Sequence, residues 1–146
     1  MKWREISSGS FKSCDYKTKQ SGDECLHLIK ITGPISREER IPIYEETLKI
    51  NPSENYFCIV DNSEAHENVL SYDDMKFFGD MLSSAGIKSF YCAVITFDKG
   101  HARIGKLTHA IAILKNIRTE NLSTTDPQEA EKFIFSKIED ALNNDR

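Results

Sequence analysis

The sequence predicts an α/β fold in which about four helices pack on a mixed, mostly parallel β-sheet. Two β-favouring runs support this: the continuously apolar Tyr56-Phe57-Cys58-Ile59-Val60, as expected of a strand covered on both faces, and residues 90–97 with Ala93, Val94 and Ile95 at their centre. The segments between them carry apolar residues at helical spacing, and strands that alternate with helices need the crossover connections of a parallel sheet.

The elements follow in chain order. Residues 1–24 are polar and rich in Ser, Lys and Gly, with Trp3, Ile6, Phe11 and Tyr16 as apolar anchors, and read as one or two edge strands. The turn-like Gln20-Ser21-Gly22-Asp23 leads into a strand at 26–31, which its polar His27 and Lys30 mark as partly exposed. Gly33-Pro34 ends that strand. Ser36 and Glu39 have capping-box spacing for a helix over 37–50, and Pro42 inside it predicts a late start or a kink. After Asn51-Pro52 comes the central strand at 56–60.

Ser71 and Asp74 open a second helix whose Met75, Phe78, Met81 and Leu82 recur on one stripe, and Gly86 can take the left-handed conformation that ends it. Phe77-Phe78 and the Met75, Met81 pair read as core packing. The strand at 90–97 runs into Asp98-Lys99-Gly100, and a third helix carries Ile104, Leu107, Ile111 and Leu114 inward. A weaker edge strand lies near 117–122. Asp126-Pro127-Gln128-Glu129 then opens a final helix with Ala130, Phe133, Ile134, Ile138, Ala141 and Leu142 inward.

The chain of 146 residues, 39% hydrophobic and 29% charged, is sized for a single domain, 1–146, with one real core. A net charge of -4 and the lack of a basic stripe argue against a nucleic-acid interface. No apolar run approaches the ~20 residues of a membrane span, and Met1-Lys2-Trp3-Arg4-Glu5 does not lead into a signal-peptide core, so a cytoplasmic location is expected. Cys14, Cys25, Cys58 and Cys92 form no C-x-x-C pair and read as reduced thiols, mostly buried in strands.

The order of elements, with Leu28-Ile29-Lys30-Ile31-Thr32-Gly33-Pro34-Ile35, Cys58-Ile59-Val60-Asp61, Cys92-Ala93-Val94-Ile95 and Asp126-Pro127-Gln128-Glu129-Ala130, resembles the STAS domain, SpoIIAA-like group of anti-sigma factor antagonists. The similarity covers about residues 25–142. That group is often related in fold to the lipid-binding Sec14 proteins. The resemblance implies a regulatory module acting through protein contacts. In the antagonists an Asp-Ser-Ser-Gly motif carries the serine phosphorylated by a partner kinase. The matching stretch here reads Leu70-Ser71-Tyr72-Asp73, so Ser71 stands at the candidate phosphosite without the preceding acid or the following Ser-Gly. N-capping is the simpler role for Ser71.

Ligands of open α/β sheets sit beyond the carboxyl ends of the parallel strands, which marks a rim comprising Asp61, Asn62, Ser63, His66, Ser71, Asp98 and His101. Asp61, His66, Asp98 and His101 offer metal-ligand types but no H-x-x-x-H or H-E-x-x-H spacing, so no metal is expected. Ser63 with His66 or His101 and Asp98 offers a nucleophile, base and orienter, yet the G-x-S-x-G elbow is missing and no catalytic residue is assigned. Gly100-His101-Ala102-Arg103-Ile104-Gly105-Lys106 copies P-loop spacing, but Leu107 stands where the motif needs a hydroxyl, and no cofactor is expected.

His27 and His109 read as structural or exposed. The leading functional reading is a non-enzymatic interaction module with a protein partner. The alternative is a binder of a small apolar or lipid-like ligand, for which Met and aromatic side chains would line a cavity. A small hydrolase using Asp98 and His101 is the weakest of the three.

Overall fold

The computed structural model of the chain describes residues 2–68, 70–97 and 116–144. Its elements are β1 (Arg4–Phe11), β2 (Cys14–Ser21), β3 (Glu24–Ile31), α1 (Arg37–Ile50), β4 (Asn55–Asn62), α2 (Tyr72–Ser84), β5 (Ser89–Thr96), β6 (Arg118–Thr124) and α3 (Pro127–Asn144). The six strands form one sheet in sequence order, antiparallel from β1 to β3 and parallel from β3 to β6. The predicted third helix with its Ile104, Leu107, Ile111 and Leu114, the P-loop-like stretch, His109, and the rim residues Asp98 and His101 lie outside the described residues. Three helices are therefore described where about four were expected.

The polar N-terminus forms two strands because its residues alternate. Along β2, Cys14, Tyr16 and Thr18 are buried while Asp15, Lys17 and Lys19 face the other way. Two-residue turns join β1 to β2 at Lys12-Ser13 and β2 to β3 at Gly22-Asp23, with positive φ at Ser13 (72°) and Gly22 (58°) as such tight hairpins require. Gly9 lies opposite Tyr16, where a Cβ would come within 2.9 Å of the ring.

Helices cover both sheet faces. On one face α1 and α2 bury Ile43 and Leu82 against Tyr16, Ile29, Tyr56, Cys58, Phe90 and Cys92. On the other, α3 buries Ala130, Ile134 and Ile138 against Leu26, Phe57, Ile59, Ala93 and Ile95. Each large side chain so buried contributes about 1.5–3 kcal/mol. Cys58 and Cys92 are register partners on β4 and β5, and all four cysteines are free and buried. Burial pushes the Cys14 and Cys25 thiols up to about 11.

Several expectations change. Helix α1 starts at Arg37 and runs through Pro42 without a late start. Its capping box does not close: the Ser36 hydroxyl donates to the Glu39 carboxylate at 2.6 Å instead of accepting from the backbone. Strand β3 is almost wholly interior, because β2 and β4 flank it and α1 covers one face, so His27 is fully buried. Phe77 is exposed while Phe78 is buried, since neighbouring helical residues point about 100° apart and cannot share the core face.

Helix α2 follows expectation. Ser71 Oγ accepts from Asp74 N–H at 3.1 Å, Asp74 Oδ2 accepts from Ser71 N–H at 3.0 Å, and Gly86 has φ of 84° past the helix end. At the start of α3, Asp126 Oδ1 accepts from Gln128 N–H at 2.9 Å. No described helix is long and apolar enough to cross a membrane.

Candidate functional site

The carboxyl ends of β3, β4 and β6 lead into α1, α2 and α3, so these three helices begin at the same rim of the sheet. Sheet register then assigns the rim residues to opposite faces. Asp15, Lys30, Asp61, Ile95 and Thr124 are successive partners across five strands and share the α3 face. Asn62 and Thr96, one residue further on, pair on the α1 and α2 face.

Asn62 and His66 are brought together as a loop clamp. Asn62 is buried; its Oδ1 accepts from His66 N–H at 3.0 Å, and its Nδ2 donates to the His66 carbonyl at 3.1 Å. Ala65, at φ 58°, lets the chain turn inside this clamp. The loop is fastened to the β3–α1 connection, where Ile35 N–H donates to the Glu67 carbonyl at 2.8 Å, and to α1, whose buried Arg40 donates to Asn68 Oδ1. Ser63 is exposed, and its N–H donates to Asp61 Oδ1 at 2.9 Å. Among the described residues Ser63 and His66 share no hydrogen bond, and His66 Nε2 is buried without a partner. No three described His, Cys, Asp or Glu side chains are placed to hold a metal ion.

Ser71 stands apart from that clamp. Asp74, which closes its capping box, also accepts from Arg37 Nε at 2.6 Å. The Ser71 backbone N–H first, then the Arg37 guanidinium, hold the Asp74 carboxyl below its ordinary range. The Arg37 guanidinium lies 4.9 Å from the centre of the Phe77 ring. Around this corner α2 exposes Phe77 and Tyr72, the latter 49% accessible. At the end of β5, on the same rim, Phe97 is 74% accessible.

The α3 face of the rim holds an open groove of about 410 Å³. Leu28, Ile59 and Ile95 make its floor and Pro127 its edge at the start of α3. Lys17, Lys30, Asp15, Asp61 and Glu131 stand along its walls. Of these five, sequence reasoning found only Asp61. The available signal for Asp15 was the alternation along 14–19, whose outward residues are all charged.

The opposite face buries a small polar cluster within its apolar core. His27 Nε2 pairs with Asn51 Oδ1 and His27 Nδ1 with Thr18 Oγ1, each at 2.9 Å. Asn51 Nδ2 donates to the carbonyls of Ser53 and Asn55, which leaves Oδ1 as the acceptor and fixes the His27 proton on Nε2. The imidazole stacks on Tyr56 at 4.6 Å, and burial lowers its pKa from 6.5 to about 4, so the ring is neutral at pH 7. Tyr56 OH bonds Thr47 Oγ1 at 2.8 Å. These groups satisfy one another.

No protein-family model, curated protein or solved structure matches the chain.

Proposed function

We propose that the chain is a non-enzymatic interaction module of STAS-like type, which meets a protein partner through the rim from Asp61 to Ser71 and the adjoining face of α2. The corner at Ser71 carries this reading. Its polar groups are spent on each other, Ser71 on Asp74 and Asp74 on Arg37, so they hold a shape instead of presenting a reactive atom. The exposed Tyr72 and Phe77 on that preformed corner are side chains of the type that anchors protein interfaces.

The test is quantitative capture from native lysate with the wild-type chain and a Tyr72→Ala/Phe77→Ala variant, both shown to be folded by circular dichroism. The reading expects the variant to lose the reproducible partner. A variant that captures the same proteins in the same amounts counts against it. The groove supports a second reading, a site for a small amphipathic ligand, because its volume falls within the ~300–1,000 Å³ of ligand pockets. Native mass spectrometry that finds no co-purified small molecule would remove that reading.

A further inference from the structure

The groove on the α3 face has a charge pattern that selects its occupant. Both of its ammonium groups already face carboxylates beside it, Lys17 against Glu5 at 3.5 Å and Lys30 against Glu64 at 3.7 Å. The carboxylates along its walls are less fully answered. Neither Asp15 nor Glu131 has an ion-pair partner among the described residues, and Asp61 accepts only the Ser63 backbone N–H. Among the described residues two ammonium groups thus stand against five carboxylates, three on the groove walls and two beside them, in a chain that is itself net negative.

Spacing narrows the choice. Asp15 and Asp61 lie in one register row on β2 and β4, two inter-strand steps or about 10 Å apart, on either side of Lys30, whose ammonium group pairs with Glu64, and too far apart for one ligand ammonium group to answer both. Alternate side chains of an extended peptide share a face, so the basic residues at the ends of a Lys-x-Leu-x-Lys stretch, about 13 Å apart at their Cα atoms, face the same way as the central aliphatic residue and reach both carboxylates through their flexible stems. The groove, about 410 Å³ among the described residues, is sized for a few aliphatic side chains.

The geometry points to a binding groove for a basic, aliphatic segment of a partner protein. One or two aliphatic side chains lie on Leu28, Ile59 and Ile95, and two flanking Lys or Arg side chains reach Asp15, Asp61 and Glu131. This rests on the reading of the chain as an interaction module and adds the chemistry of the partner. Charge complementarity of this kind gives specificity and raises the association rate.

The experiment is a methyl-detected NMR titration with the capped pentapeptide Lys-Ser-Leu-Ser-Lys, its acidic counterpart Glu-Ser-Leu-Ser-Glu, and hexylamine. The expected result is that the basic peptide shifts the methyl signals of Leu28, Ile59 and Ile95, that the acidic one does not, and that an Asp15→Lys/Glu131→Lys variant binds at least tenfold more weakly. Both substitutions lie on solvent-accessible positions, and an unchanged circular dichroism spectrum keeps loss of fold from imitating loss of binding.

Equal response to both peptides, no response to either, shifts confined to another surface, or unaltered binding by the charge-reversed variant would each overturn the proposal. So would hexylamine binding as tightly as the peptide, which would make this a small-cation site. If the peptide fails while Tyr72→Ala/Phe77→Ala still loses its partner, the groove assignment falls and the interaction reading stands.

Discussion

The two faces of the sheet handle polar groups in opposite ways. Under α1 and α2, His27, Thr18, Asn51, Thr47 and Tyr56 are drawn inward and paired with one another. Under α3 the packed core is aliphatic and aromatic; charged side chains lie at its ends, Glu24 and the Lys137–Glu120 pair towards the amino ends of the strands and the groove carboxylates and lysines at the carboxyl end. Polarity alone therefore does not mark a functional site in this molecule. The face richest in buried polar atoms is structural, and the face with the plainer core presents charge to the outside.

The largest expected effect tests the apolar face. Phe57 is fully buried, stacked on Tyr91 at 5.1 Å, and Phe57→Ala should cost about 3–5 kcal/mol through lost burial and the cavity left behind. Urea unfolding measures it. A loss under 1 kcal/mol would mean that the α3 face is not close-packed.

The polar face should declare itself through pH. The folded pKa of His27, about 4, lies below its ordinary 6.5, so between those values the unfolded chain takes up a proton that the folded chain refuses. Stability from this group is fully present above pH 6.5, falls as pH drops toward 4, and levels off below. The loss amounts to about 3 kcal/mol by linkage. Carboxylates titrate in the same range, so the measurement is the difference between wild type and His27→Gln. The difference in stability between the two proteins should vary with pH across 4 to 6.5; parallel pH profiles would contradict a buried neutral imidazole.

The fold was legible where local pattern and tertiary environment agree. The apolar runs of β4 and β5, the stripe of α3 and the Ser71–Asp74 box each need only neighbours in sequence to be recognised. The interior place of His27 was not legible, because Asn51, its acceptor, belongs to the end of α1, and β3 is buried only once β2 and β4 pair with it. The groove was hidden for the same reason. Asp15, Lys30 and Asp61 are far apart along the chain and become neighbours only through cross-strand register. Glu131 joins them through the packing of α3, which no short-range signal encodes.

Smaller effects sharpen the contrast between rim and core. Ser71→Ala should cost about 1 kcal/mol by leaving the Asp74 N–H without its cap, readable as a lower thermal midpoint. No change would mean that the corner is held by Arg37 and Asp74 alone. Lys17→Ala and Lys30→Ala break ion pairs that are more than half exposed and should change stability by under ~0.5 kcal/mol. The four thiols should resist iodoacetamide in the folded chain and react on unfolding.

The central claim is that the rim and α2 meet a protein partner while the far end of the molecule does not. Cross-linking mass spectrometry in native lysate with a lysine-reactive reagent tests it directly, because exposed lysines stand at both places. Lys30 and Lys76 lie at the rim and on α2, and Lys49 and Lys88 lie at the opposite end. Intermolecular cross-links concentrated on Lys30 and Lys76 are the predicted result; cross-links concentrated on Lys49 and Lys88, or spread evenly over all four, would contradict it.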